Sequence, residues 1–193
     1  SRNLMTIRIA QTIGMAKVAE MAGRLGVIDN MQQTLAMSIG AGETTVLRMV
    51  TAYSMIVNGG KKVEPTFIDR VQNSLGWTMY RHDQRKCDGC SGIAYDGQPP
   101  PTLPDDRPQV LDPAVAYQMV SMMQGVVQRG TGSAVKAVGK PLAGKTGTTN
   151  DGRDVWFVGY SPDLVAGVYV GYDQPRSLGQ RATGGTIPAP IFR

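Results

Sequence analysis

Apolar residues recur between Leu4 and Leu25 at Leu4, Ile7, Val18, Met21 and Leu25, the spacing of a buried helical stripe. Gly14 interrupts the run, so two helices are expected, with Gly26 as the stop of the second. Leu47, Val50, Tyr53 and Met55 to Val57 predict a third helix over about 44–58, capped by Thr44 or Thr45 and ended by Gly59-Gly60. The pattern then changes. From Lys62 to Tyr80 the residues Val63, Phe67, Ile68, Val71, Trp77 and Tyr80 read as strand around an Asn73-Ser74 turn, a hairpin. Asp112-Pro113 supplies a cap and a first-turn proline for a helix to about Arg129, with Val115, Met119, Met122, Met123 and Val126 inward and Gly130 at its end. Three strand signals follow at Pro141 to Thr149, Val155 to Tyr160 and Leu164 to Tyr172. Their links, Asn150-Asp151-Gly152 and Ser161-Pro162-Asp163, are short enough to require antiparallel pairing. The expected fold class is α/β of the α+β type, an antiparallel sheet with helices packed on it.

Composition adds limits rather than chemistry. The chain has 193 residues, 41% of them hydrophobic, which suits one globular domain or most of one. Its net charge of +5 comes from 20 Lys and Arg residues scattered without a run or interleaved aromatics, which argues against nucleic acid and for a solvated surface. A mildly basic surface also suits an anionic polymer or anionic lipid head groups. The chain opens on Ser1 and shows neither a signal-peptide pattern nor an apolar run of bilayer length, so any export signal or membrane anchor is expected outside it. Gly40-Ala41-Gly42 reads as a turn, because no Lys-Ser or Lys-Thr follows to make a phosphate loop.

Residues 83–108 collect five prolines with Asp, Gly and Cys, and read as a long loop or insertion. Cys87 and Cys90 flank Asp88-Gly89, a tight-turn pair rather than a redox helix start. With His82 they fall short of the roughly four ligands of a zinc site, and no metal is expected. A small local disulfide or two free thiols both fit. His82, the one histidine, reads as a loop residue.

The string with chemical content is Gly144-Lys145-Thr146-Gly147-Thr148-Thr149, on the first of the three consecutive strands. A lysine on an edge strand holds positive charge beside a reacting group, threonine hydroxyls bind a carboxylate, and glycine clears space for a substrate along the strand. The string resembles the Lys-Thr-Gly motif of penicillin-binding proteins and serine β-lactamases. Val155-Trp156-Phe157-Val158-Gly159-Tyr160, Val168 to Asp173, Gly130-Thr131-Gly132, Thr183-Gly184-Gly185-Thr186 and Ala189-Pro190-Ile191-Phe192 extend the resemblance to the class A penicillin-binding proteins. These are the bifunctional synthases that join a glycosyltransferase to a transpeptidase. Ser1-Arg2-Asn3 is similar to the family's Ser-x-Asn motif, and the segment that follows it to Val27 and the Gly59-Gly60 and Val63-Glu64-Pro65 region are similar too. Residues 83–108 are not matched.

The family's nucleophile motif, Ser-x-x-Lys, precedes Ser-x-Asn. Ser133-Ala134-Val135-Lys136 has that spelling but stands between the other two motifs, in a connecting segment, and reads as coincidence. Residues 1–193 are therefore expected to be a partial transpeptidase domain, with the glycosyltransferase domain and the nucleophile segment outside them, and no penicillin labelling of the chain on its own.

The resemblance implies a D,D-transpeptidase that acts on peptidoglycan stem peptides and is blocked by β-lactams, at the periplasmic face of the bacterial inner membrane. It implies that Ser1 relays a proton, Asn3 hydrogen-bonds the substrate amide, Lys145 supplies positive potential, and Thr146 and Thr148 bind the terminal carboxylate. Gly147 clears the strand, the Thr148 N–H completes an oxyanion hole, and Thr149 and Arg2 border the cleft. No cofactor and no nucleic-acid partner are implied. An exported setting also implies that Cys87 and Cys90 are bonded. A serine β-lactamase or D,D-carboxypeptidase shares the motifs, and a noncatalytic binding module is the alternative if no Ser-x-x-Lys lies upstream.

Overall fold

The computed structural model of the chain describes residues 2–87, 90, 94, 96–99 and 101–193. Its elements are α1 (Asn3–Ile13), α2 (Met15–Arg24), α3 (Val46–Val57), β1 (Arg70–Gln72), β2 (Thr78–Arg81), α4 (Pro113–Arg129), β3 (Ala143–Thr148), β4 (Asp154–Tyr160), β5 (Val165–Gly171) and α5 (Pro188–Phe192). Short 3-10 turns stand at Leu35–Ile39, Ser133–Val138 and Asn150–Gly152. The chain divides into two compact units, one of residues up to 63 together with 109–193, the other of residues 64–108.

In the first unit the helix boundaries follow the expected caps. The Thr45 hydroxyl accepts from the Arg48 N–H at 3.2 Å, and an Asp112 carboxylate oxygen accepts from Ala114 and Val115 at 2.8 and 3.2 Å. Gly14, at φ 88°, separates α1 from α2. Strands β3, β4 and β5 form one antiparallel sheet in that order, with Lys145 opposite Val158, Thr146 opposite Phe157 and Thr148 opposite Val155.

Each face of this sheet is covered. Ala143 and Tyr160 pack with Ile56 of α3, Met123 of α4 and Leu111 just before α4, and the Tyr160 hydroxyl donates to the Met123 sulfur at 3.3 Å. On the other face Phe157 packs with Val127, Val135, Leu142 and Ala189. The Phe157 ring is fully buried and stands edge-on to Phe192, centroids 4.9 Å apart. It fits because its neighbours lack side chains: a Cβ on Gly144 would lie 2.9 Å from the ring and one on Gly159 2.6 Å.

Two stripes differ from expectation. Among the residues expected inward on the first helices, Leu4 is 61% exposed and Met21 is exposed, while Ile7, Val18 and Leu25 are half-buried. Only Ala10 is buried in α1, because the helix packs on α2 and the Leu35–Ile39 turn along one side. In α4 the buried residues are Ala116, Met123 and Val127. Val115 and Met122 face outward, and Met119 and Val126 are half-buried. Periodicity gave the helix in both cases, while the neighbouring surface chose the face.

The second unit holds the antiparallel hairpin β1–β2, with Arg70 opposite Arg81 and Val71 opposite Tyr80. The strands are shorter than the expected Lys62 to Tyr80 run. Thr66 accepts the Ile68 N–H on its hydroxyl at 3.0 Å, a local bond that takes the backbone out of a ladder before β1. The expected turn forms: the Asn73 side-chain oxygen accepts from Leu75 and Trp77 at 3.0 and 2.9 Å. The described residues of 83–108 contain neither helix nor strand, and carry exposed pairs of Arg85 with Asp83 and Arg107 with Asp105. Cys87 and Cys90 form a disulfide, with Cα atoms 5.4 Å apart. The Asp88-Gly89 turn lies outside the described residues.

Candidate active site

The candidate residues from Lys145 to Thr148 lie on β3, which has β4 as its one strand neighbour among the described residues. Thr149 donates its N–H to the Asp154 carbonyl at 3.0 Å, so 149 and 154 form a hydrogen-bonded pair. Such pairs alternate along an antiparallel ladder. Residues 144, 146 and 148 therefore turn their N–H and C=O groups away from β4, toward the outer edge. The Thr148 N–H is in this set, which is what an oxyanion donor on an edge strand requires.

The pleat divides the side chains. Lys145 and Gly147 fall on the face of Tyr160 and Met123, and Thr146 and Thr148 on the face of Phe157 and α5. Lys145 lines an open groove of about 330 Å³ with Met122, Gly125, Val126, Arg129, Gly130 and Thr131. Its ammonium nevertheless curls back to the edge, donating to the outward carbonyl of Thr146 at 2.7 Å. Partial burial holds the Lys145 pKa below the ordinary lysine value. Burial thus weakens the charged form relative to that of an exposed lysine, and this cation is more readily neutralised.

The threonines are held by two loops. Thr146 Oγ1 lies 2.6 Å from Thr131 Oγ1, and Thr148 Oγ1 accepts from the Gly184 N–H at 3.0 Å. Thr149 Oγ1 accepts from the Asp154 N–H at 2.8 Å and closes the turn into β4. Behind that turn, Ser177 donates to the Asp151 carbonyl at 2.8 Å and Leu178 to Gly152 at 3.0 Å, which ties the segment before Gly184 to the end of β3. Gly184 then lies directly on the strand: a Cβ there would come within 2.5 Å of the Trp156 carbonyl and 2.7 Å of the Gly147 carbonyl.

Asn3 is exposed in the first turn of α1, and among the described residues no hydrogen bond joins it to β3. Arg2 precedes it as the helix cap and is exposed. Ser1 lies outside the described residues. Ser133 and Lys136 are exposed in the 3-10 turn that packs through Val135 beneath Phe157. Thr131 carried no assigned role in the sequence. Its signals there are the flanking glycines and the resemblance of Gly130-Thr131-Gly132 to the family, which mark a tight loop but not a contact with a strand 15 residues on.

A second cavity, of about 280 Å³, lies where β3 begins and is lined by Ile56, Tyr117, Leu142, Ala143 and Tyr160 among others, with no charged side chain. Among the described residues no three His, Cys, Asp or Glu side chains cluster as for a metal, and no helix is long and apolar enough to cross a membrane.

Comparison with known proteins agrees with this geometry. The chain is 43% identical over 194 residues to penicillin-binding protein 1A of Rickettsia bellii, covering all of this chain and 24% of that protein. It is 38% identical over 194 residues to penicillin-binding protein 1A of Neisseria lactamica, covering all of the chain and 22% of the relative. The crystal structure of penicillin-binding protein 1A from Haemophilus influenzae superposes with a TM-score of 0.78 at 28% identity, over 98% of this chain and 32% of that one. The chain thus spans about a quarter of the length of the curated relatives it matches. The family model of the penicillin binding protein transpeptidase domain matches residues 1–193, and the chain belongs to that family.

Proposed function

We propose that the protein containing this chain is a serine-type D,D-transpeptidase that cross-links peptidoglycan stem peptides and is acylated by β-lactams. Residues 1–193 form part of its transpeptidase domain. The glycosyltransferase domain, the membrane anchor and the Ser-x-x-Lys nucleophile belong to the protein outside these residues, and the site works at the periplasmic face of the inner membrane.

The serine oxygen attacks the penultimate D-Ala carbonyl of a stem peptide, and its proton passes through Ser1 to the departing D-Ala amine. The new ester bond replaces the broken peptide bond. An amine of a second stem peptide then attacks the ester carbonyl, releasing the serine and forming the cross-link. The outward N–H of Thr148 receives the developing oxyanion. Lys145 gives the edge a positive potential that favours both that anion and the incoming carboxylate, and Thr146 and Thr148 donate to the carboxylate. Asn3 orients the substrate amide, Gly147 leaves the strand open to the peptide, and Thr149 shapes the rim through its bonds to Asp154.

The observation that supports this reading most is the outer edge of β3, without a strand partner among the described residues, where the lysine ammonium and an outward N–H stand beside two threonine hydroxyls on a strand that matches the family along its whole length. The test is to supply the full-length protein with a stem pentapeptide donor and an amine acceptor. Release of D-Ala with formation of a cross-linked dimer is expected. Release with water as the sole acceptor would make it a carboxypeptidase, and no release would leave a binding module.

A further inference from the structure

We propose that Thr131 is a positioning residue for this site, fixing the direction of the Thr146 hydroxyl proton. The inference rests on the carboxylate-binding role given above to Thr146.

Thr131 both lines the Lys145 groove and touches the threonine face of β3. Its loop has little freedom. Gly130 and Gly132 both donate to the Val126 carbonyl, at 3.1 and 3.0 Å, and a Cβ on Gly132 would lie 3.2 Å from the Phe157 ring. From the far side, Gly185 sits so close that a Cβ there would come within 2.4 Å of the Thr131 carbonyl. The loop is thus wedged between the end of α4, the core phenylalanine and the Gly184-Gly185 segment, the support a precise hydroxyl position needs.

Proton counting then gives the direction. Each hydroxyl has one proton, and of two hydroxyls 2.6 Å apart one donates to the other. When Thr146 donates to a bound carboxylate, its proton is committed, so the Thr131 proton must point at Thr146. The partner threonine is arranged in the same way, because Thr148 Oγ1 accepts from the Gly184 amide N–H, a group that can only donate. Both strand hydroxyls therefore have an acceptor lone pair occupied by protein, which leaves their protons for the ligand and polarises each toward it. Thr131 and the Gly184 N–H are equivalent parts of one device.

The test uses the full-length protein and a penicillin with its free carboxylate, compared with the methyl ester of the same penicillin. Thr131→Val keeps the shape and removes the donor. It is expected to slow acylation by the acid about three- to tenfold, as loss of one hydrogen bond does, and to leave the ester rate near its own wild-type value. Thr131→Ser restores the acid rate, and Thr131→Val adds nothing in a Thr146→Val background. Equal slowing of acid and ester would show that the loop merely supports the fold and would overturn the inference. So would an unchanged Thr131→Val enzyme beside a Thr146→Val enzyme that loses its preference for the acid. If Thr146→Val itself fails to distinguish acid from ester, the carboxylate role of Thr146 falls, and this inference with it.

Discussion

The sheet β3–β4–β5 and the hairpin β1–β2 are built by the same antiparallel pairing, yet they are held together differently. In the sheet, Val155 and Phe157 are wholly buried and each face rests on helices. In the hairpin every strand residue is exposed, as is Trp77 just before β2, by 69%, and Arg70 stands directly across from Arg81, a like-charge pairing that adds no stability. Its order comes from short-range polar bonds, above all the two N–H groups on the Asn73 side chain. The sheet positions chemistry because its edge strand cannot shift without disturbing Phe157 and Tyr160. A hairpin of local bonds has no such constraint.

The contrast is broken most strongly at Phe157. Phe157→Ala empties the slot between Gly144 and Gly159 and is expected to cost about 3–5 kcal/mol. Hydrogen exchange across β3–β5 in the full-length protein should accelerate by about two to three orders of magnitude, with β1–β2 unchanged. Acceleration in both regions alike would mean that the two units open together. Smaller is the effect of Cys87→Ser, which frees a loop closed over only three peptide steps. It should destabilise the protein by less than about 2 kcal/mol, visible as faster exchange within residues 64–108 and not in the sheet.

The half-buried lysine sharpens the comparison through pH. Burial lowers the Lys145 pKa, so its charge is lost at a lower pH than that of an exposed lysine. Penicillin acylation should decline on the alkaline side early, and Lys145→Arg, with a group that stays charged, should carry whatever activity it retains to higher pH. Coincident alkaline limbs would remove Lys145 from the titration. The smallest effect belongs to Trp77→Ala in the hairpin, which is expected to change stability by less than about 0.5 kcal/mol despite the size of the ring.

These differences explain what was legible in the chain. Helix ends were readable because capping is local: Thr45, Asp112, Gly14 and Gly59 act on residues within a turn of themselves. The three sheet strands were readable for the same reason, from turns at Asn150-Asp151-Gly152 and Ser161-Pro162-Asp163. The exposed faces of α1 and α4 were not, since a periodic stripe is silent about which surface covers it. Lys145 and the threonines stand together in the sequence, and the period of two along a strand already parts them between faces, but nothing local shows that the lysine returns to the edge through the Thr146 carbonyl. The contact of Thr131 with Thr146 depends on a loop wedged from three sides, which no local pattern encodes.

The central claim is that the edge of β3 is the electrostatic half of a penicillin-reactive serine site, and that Ser133-x-x-Lys136 is not its nucleophile motif. Labelling by a fluorescent penicillin tests it directly in three full-length proteins: wild type, Lys145→Ala and Lys136→Ala. Loss of one preorganised contact to a developing anion should slow acylation of Lys145→Ala by about 10²–10³ at unchanged melting temperature, while Lys136→Ala labels like wild type. Equal loss from both substitutions, or an adduct mapped to Ser133, would contradict the account.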